Sequence, residues 1–214
     1  MNKYSCVVWD WNGTLLDDVD ANLRTANRML SKRSLTEITS KEEYRRLFCF
    51  PVVNFYKKVN FDLTSEDFVA LAEEYVVTYT EENTSSELFC GAREVLDKLN
   101  SSGIRQVVVS ATEHIRLGAE VASHGVDKCF SDILGVGDNF GSSKVAVAEK
   151  FVAGSGHSPH EILFIGDTDH DSAVAAACGC DCILVSRGHI SAESLEKTGF
   201  PVVDDITKVL EYIL

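Results

Sequence analysis

The sequence predicts an α/β fold, a parallel sheet with helices on its faces, interrupted early by a small helical insertion. Three observations predict it. Short runs of β-branched residues alternate with amphipathic stretches along most of the 214 residues. That alternation lapses between about Leu16 and Glu87, where the apolar spacing is helical and no strand is convincing. With 45% apolar residues, the chain is long enough to bury one good core and a small accessory unit.

Taken in order, the first strand is Tyr4–Trp9, ending at Asp10-Trp11-Asn12-Gly13-Thr14. In the insertion, Val19, Leu23, Ala26 and Leu30 make one helical stripe, and Phe68, Leu71, Ala72, Tyr75 and Tyr79 make another. Thr64 and Asp67 suit a capping box before the second. Arg45–Pro51 lies between them, basic and aromatic, ending in a proline turn, and Glu81–Ser86 reads as the return linker. Residues 1–15 and 88–214 are therefore expected to form the α/β core, and residues 16–87 the inserted unit. Past it, Ala92, Val95, Leu96 and Leu99 share a helix face. The strand Arg105–Ser110 follows, then a helix with Ile115, Ala119 and Ala122 on one face, and the strand Ile133–Gly135. A Gly-Ser-Ser turn at Gly141–Ser143 precedes Lys144 and a helix carrying Val145, Ala148 and Val152. Ile162–Ile165, Cys182–Val185 and Pro201–Val203 complete the sheet, and Ile206–Leu214 is a closing helix.

The formal net charge of −13 argues against a general nucleic-acid binder, because phosphate backbones are held by a surplus of Lys and Arg. No apolar stretch approaches the roughly 20 residues of a membrane-spanning helix, and no secretory leader is expected. Seven cysteines without a CxxC pair fit a reducing, cytoplasmic setting. Cys178, Cys180 and Cys182 lack a matching half of a zinc site and read as small buried apolar residues.

Four stretches carry chemistry. Asp10 ends one strand and is followed by a glycine turn and the hydroxyl of Thr14. Ser110 ends another. Lys144 stands near the start of a helix. Ile162–Ile165 runs into Gly166-Asp167-Thr168-Asp169-His170-Asp171. In an open α/β sheet all four converge at the carboxyl edge, where ligands bind. There Asp10 and Asp167 suit a hard cation such as Mg²⁺. Ser110 and the amides after Asp10 can grip phosphoryl oxygens, with Lys144 offsetting the charge of transfer. Asp10 would form an aspartyl-phosphate that water opens.

This ordered set resembles the haloacid dehalogenase-like superfamily, mostly phosphatases, over essentially the whole chain. The resemblance implies a Rossmann-like core with a helical cap of the first type, as in phosphoglycolate phosphatase-like members. It implies Asp10 as nucleophile, Asp10, Asp167, Asp171 and the backbone carbonyl of Asn12 at Mg²⁺, and Thr14, Ser110, Ala111 and Lys144 at the substrate. Asp171 would support the metal through water or hydrogen bonds. The expected partner is a small phosphorylated metabolite, with no nucleic acid or membrane, for a monomer or homodimer.

Position 12 departs from the pattern. Phosphatases of the family have an aspartate there that protonates the leaving alcohol and then activates water. Asn12 does neither, and general acid–base catalysis is worth about 10²–10⁴-fold, so a slow enzyme is expected. His170 is one substitute proton carrier, ahead of His114 and His189. Asp17 and Asp18 read as the entry to the first helix of the insertion, ahead of a catalytic role for either. Two other readings stand beside the phosphatase. One is a non-catalytic phospholigand-binding or regulatory protein. The other is a phosphonoacetaldehyde hydrolase-like enzyme with Lys57 or Lys58 as a Schiff base. Arg45, Arg46, Phe48 and Phe50 could touch substrate, though packing explains them as well.

Overall fold

The computed structural model describes residues 3–137 and 144–214; the expected Gly141–Ser143 turn lies outside them. In chain order the elements are β1 (Cys6–Trp9), β2 (Leu16–Asp17), α1 (Val19–Lys32), α2 (Lys41–Leu47), α3 (Val52–Lys58) and α4 (Phe68–Glu82). Then come β3 (Glu87–Leu88), α5 (Ala92–Ser101), β4 (Arg105–Glu113), α6 (His114–Ser123), β5 (Asp132–Val136) and α7 (Lys144–Gly154). The chain closes with β6 (Ile162–Gly166), α8 (Asp169–Ala177), β7 (Asp181–Val185), α9 (Ala192–Glu196), β8 (Val202–Val203) and α10 (Leu210–Ile213).

Alternating side chains explain why β1 is central. Val7 and Trp9 enter one apolar layer with Val108, Leu163, Ile165 and Ile183, under α5, α6 and α10. Cys6 and Val8 enter the opposite layer with Val107, Val109, Phe164 and Leu184, under α7, α8 and α9. A strand buried on both faces belongs inside a parallel sheet. The order is β5-β4-β1-β6-β7-β8, with every neighbouring pair parallel. The chain runs outward from β1 first through β4 and later through β6, so the crevice past the end of β1 is the switch point where such sheets bind ligands. The indole of buried Trp9 donates to Gln106 Oε1 at 3.0 Å, which satisfies an otherwise costly polar group.

The insertion holds four helices rather than two, around a third apolar cluster that includes Met29, Leu30, Tyr44, Phe55, Tyr56 and Leu71. It is joined to the sheet through β2 and β3, which pair antiparallel. Each has only two residues, too few for a periodic signal. Three local expectations are corrected. Asp67 caps α4 alone, accepting from Val69 and Ala70 amides, while Thr64 bonds to Asp62. Helix α4 continues to Glu82, into the stretch expected as linker. The buried face of α6 is Leu117 and Val121, whereas Ile115 is 78% exposed. Leu117 and Val121 are the larger i, i+4 pair, and they take the position over the sheet that the two alanines cannot fill. No helix among the described residues is long and apolar enough to cross a membrane.

Candidate active site

The ends of β1, β4 and β6, with the start of α7, meet in one cavity of about 330 Å³ roofed by the insertion. Asp10, Asn12, Ser110, Ala111, Lys144, Asp167 and Asp171 all line it. One ligand oxygen each from Asp10, Asp167 and Asp171 fall within 4.8 Å of one another. Lys144 Nζ bridges two of these acids, at 2.7 Å from Asp10 Oδ1 and 2.5 Å from Asp171 Oδ1.

Each acid is held by its own element. The Asp10 amide donates to Ile165 carbonyl across the β1–β6 boundary. Asp171 is the third residue of α8. Its Oδ2 accepts from the amides of Asp167 and Thr168 and the hydroxyl of Thr168, which caps the helix in return. Asp167 Oδ1 accepts from Thr14 Oγ1 at 3.0 Å and Oδ2 from the His189 amide at 2.7 Å. Thr14, expected at the substrate, is fully buried and absent from the cavity wall; its hydroxyl positions Asp167 instead. Ser110 Oγ accepts from the Thr112 amide and has no acceptor for its own proton among the described residues, and Ser110 lines the cavity.

Burial, with the charges of Asp171 and Asp167, pushes the Asp10 carboxyl up to about 7 despite Lys144. Burial also pushes Asp167 up, to about 6, with Asp171 adding repulsion. Asp171 goes the other way: burial would raise it, but the Lys144 charge and its hydrogen bonds hold it below the usual carboxylate range. Lys144 is raised in turn, its two acid partners outweighing burial. Three carboxylates thus face one ammonium. An oxygen donor set with that uncompensated negative charge fits a hard divalent cation such as Mg²⁺.

Glycines permit the close approach. A Cβ on Gly13 (φ +71°) or on Gly188 would overlap the Asp167 carboxyl group. Gly188→Ala is therefore expected to shift Asp167 and weaken divalent-metal binding by about 10–100-fold, measured by titration calorimetry.

Next to Asn12 lies a network that sequence reasoning did not single out. Asn12 Nδ2 donates to Asp18 Oδ2 at 2.8 Å and to Tyr79 Oη at 2.9 Å, and Asn12 Oδ1 accepts from Thr112 Oγ1 at 2.8 Å. Asp18, wholly buried, also accepts from Tyr79 Oη, Asn22 Nδ2 and the Gly13 amide. Its Oδ1 is 3.2 Å from His189 Nε2, whose other nitrogen meets Tyr44 Oη. Asp18, expected first of all to open α1, does stand at its N-cap position but makes no side-chain cap bond there. The available signals were two adjacent acids after the glycine turn and a histidine in the loop after β7. His170 lines the cavity with its ring stacked on Phe50, and His114 does not line it.

Burial would lower His189, but the charge and hydrogen bond of Asp18, with Asp167 and Asp10 adding, raise it to about 9 from 6.5. A histidine raised on folding stabilises fully below its unfolded value and loses that contribution as pH climbs through the folded one. Stability is expected to fall by roughly 3 kcal/mol between pH 6.5 and 9 on this account. Urea melts of wild type and His189→Gln would show it: the fall in stability across that window should be smaller in the variant by about that amount, leaving the part that Asp10 contributes near pH 7.

Among the insertion's cations, Arg45 donates to the carbonyls of Arg187 and Gly188. Lys57 and Lys58 are exposed and absent from the cavity wall, so the structure removes the positional basis of a Schiff-base lysine there. Phe48 and Phe50 do line it.

The sequence pattern of the haloacid dehalogenase-like hydrolase family matches residues 7–185. A phosphoglycolate phosphatase of Haemophilus influenzae is 25% identical over 199 residues, 87% of this chain and 88% of that protein. A tyrosine-protein kinase, PtkA, of Mycobacterium tuberculosis is 29% identical over 138 residues, 62% of this chain; the match spans only 47% of that kinase. The crystal structure of a predicted phosphoglycolate phosphatase from Haemophilus somnus superposes with a TM-score of 0.81 at 20% identity, covering 99% of this chain and 98% of that one.

Proposed function

The chain belongs to the haloacid dehalogenase-like hydrolase family, and from that premise we propose that it is a Mg²⁺-dependent phosphatase acting on a small phosphate monoester through Asp10. The observation that carries this reading is the convergence of Asp10, Asp167 and Asp171 within 4.8 Å, with Lys144 bridging two of them. Residues 16–87 are then the cap over that site. Asp10, Asp167 and the backbone carbonyl of Asn12 would hold Mg²⁺, with Asp171 behind them, both its oxygens being taken by Lys144, Thr168 and amides. When bound, Mg²⁺ supplies charge neutralisation and orients the phosphoryl oxygens.

The chain's own groups do the rest. Lys144 keeps Asp10 oriented and offsets the charge on the transferring group. Ser110 Oγ donates to a phosphoryl oxygen, with Ala111 beside it in the wall. The Asp10 carboxylate attacks phosphorus in line with the leaving oxygen, and water opens the resulting acyl phosphate. The aromatic cap residues limit the entry of bulk water.

Phosphate release from a panel of phosphomonoesters, 2-phosphoglycolate included, tests this. Release is expected with Mg²⁺ and is expected to stop with EDTA. No release from any ester with Mg²⁺ present would end the reading and leave a phospholigand-binding protein.

A further inference from the structure

The aromatic wall of the cavity and the hydrogen bonding of Asn12 bear on what the phosphoryl group arrives on. Building on the phosphatase reading, we propose that the substrate is an aryl phosphate, a monoester whose leaving oxygen is phenolic and whose ring lies in the cavity beneath the insertion.

The first observation is the composition of the wall. The cavity of about 330 Å³ far exceeds what a phosphoryl group and a two-carbon acid fill, and the insertion lines it with Phe48, Phe50, Phe55, Tyr56, Phe61 and Tyr75. None of Arg45, Arg46, Lys57 and Lys58 lines it, so the insertion presents no cation to a carboxylate on the leaving group. Ring faces favour an aromatic guest by burial and by stacking or edge contacts. Arg116 of α6 also lines the cavity; it is ion-paired with Glu120 at 4.0 Å, and its Nε and Nη1 are buried without a hydrogen-bond partner among the described residues. An acceptor group on the ring would meet them.

The second observation is the chemistry beside Asp10. Both N–H groups of Asn12 are spent on Asp18 and Tyr79, and its oxygen on Thr112. Asn12 therefore has no proton to hand to a leaving oxygen. A phenolate, whose conjugate acid has a pKa of about 10, departs without one. An alkoxide, comparable to hydroxide with its pKa of about 15.7, does not. In the first step an Asp10 oxygen bonds to phosphorus as the bond to the aryl oxygen breaks; that oxygen keeps the electron pair and takes a proton from solvent. In the second, water bonds to phosphorus, the bond to Asp10 breaks, and the carboxylate is restored with phosphate released and the water proton passed to phosphate or solvent.

Two measurements test the proposal. Calorimetry with Mg²⁺ compares the inert ligands 1-naphthylmethylphosphonate and methylphosphonate. The naphthyl compound is expected to bind about 100-fold tighter, with most of that preference lost in Phe50→Ala. Equal affinities, or a preference untouched in Phe50→Ala and in Phe48→Ala, would overturn the proposal. The turnover arm follows phosphate release from phenyl, naphthyl and alkyl phosphates. kcat/KM is expected to fall steeply as the leaving group becomes more basic, with 2-phosphoglycolate at least about 10²-fold below 1-naphthyl phosphate. An alkyl ester turned over as fast as the aryl ester would overturn the proposal while leaving the phosphatase reading intact. Tight, Phe50-dependent naphthyl binding with no release from any ester would support the ligand class and overturn the phosphatase reading instead.

Discussion

Asp10→Asn is expected to lower kcat for phosphate release by about 10⁴–10⁶-fold, the loss typical of removing an essential nucleophile, while leaving the fold more stable, not less. The two effects have one cause. Asp10 is crowded by Asp167 and Asp171 in a buried site, and its carboxyl is pushed up from 3.8 to about 7, burial being the main reason. An acid raised on folding gives its stability below the unfolded value and loses it as pH rises through the folded one. Metal-free wild type at pH 8 therefore carries a repulsion that the amide lacks, and Lys144 keeps Asp171 as a partner at 2.5 Å. Thermal melts at pH 8 should show a higher midpoint for Asp10→Asn than for wild type, and equal midpoints at pH 4. A variant that is both inactive and unfolded would not fit, because nothing in the geometry makes Asp10 necessary for folding.

The second large effect concerns position 12. Asn12→Asp alone is expected to raise turnover of alkyl phosphates by less than about tenfold. A carboxylate there would face Asp18 Oδ2, now 2.8 Å from the amide nitrogen, and two like charges at that distance cannot both ionise. The charge that position 12 lacks is already present at Asp18, held by Tyr79, Asn22, Gly13 and His189. Moving it back should restore proton transfer. Asn12→Asp with Asp18→Asn is expected to raise kcat/KM, which reports the leaving-group step, by about 10²–10⁴-fold on alkyl phosphates and to change it far less on aryl phosphates. Steady-state kinetics on 2-phosphoglycolate and phenyl phosphate for the three proteins decide it. A full gain from the single change would mean that Asp18 does not restrain position 12.

Much of this molecule is legible in its sequence, for identifiable reasons. Strands buried on both faces, such as Ile162–Gly166, read as unbroken apolar runs, and each reactive residue expected at the sheet edge follows such a run or opens the next helix. Asp10, Asn12, Ser110, Lys144, Asp167 and Asp171 were therefore foreseeable as neighbours, and they line one cavity. What escaped was fixed by contacts far apart in the chain. Thr14 turns to Asp167 across 153 residues, and Asp18 meets His189 from a loop still farther along the chain. No local period encodes such pairs. The two-residue strands β2 and β3 were too short to register, and α6 offered two plausible faces of which tertiary packing chose the bulkier.

The central claim is that the phosphoryl group passes through Asp10, and trapping that intermediate tests it most directly. Protein mixed with Mg²⁺ and 1-naphthyl phosphate, quenched in acid and reduced with borohydride, should yield homoserine at position 10 in the peptide spanning residues 4–24, seen by mass spectrometry. The product should be absent without ester, without Mg²⁺ and in Asp10→Asn. Phosphate released at the wild-type rate by Asp10→Asn, with no homoserine at position 10 in wild type, would contradict the account.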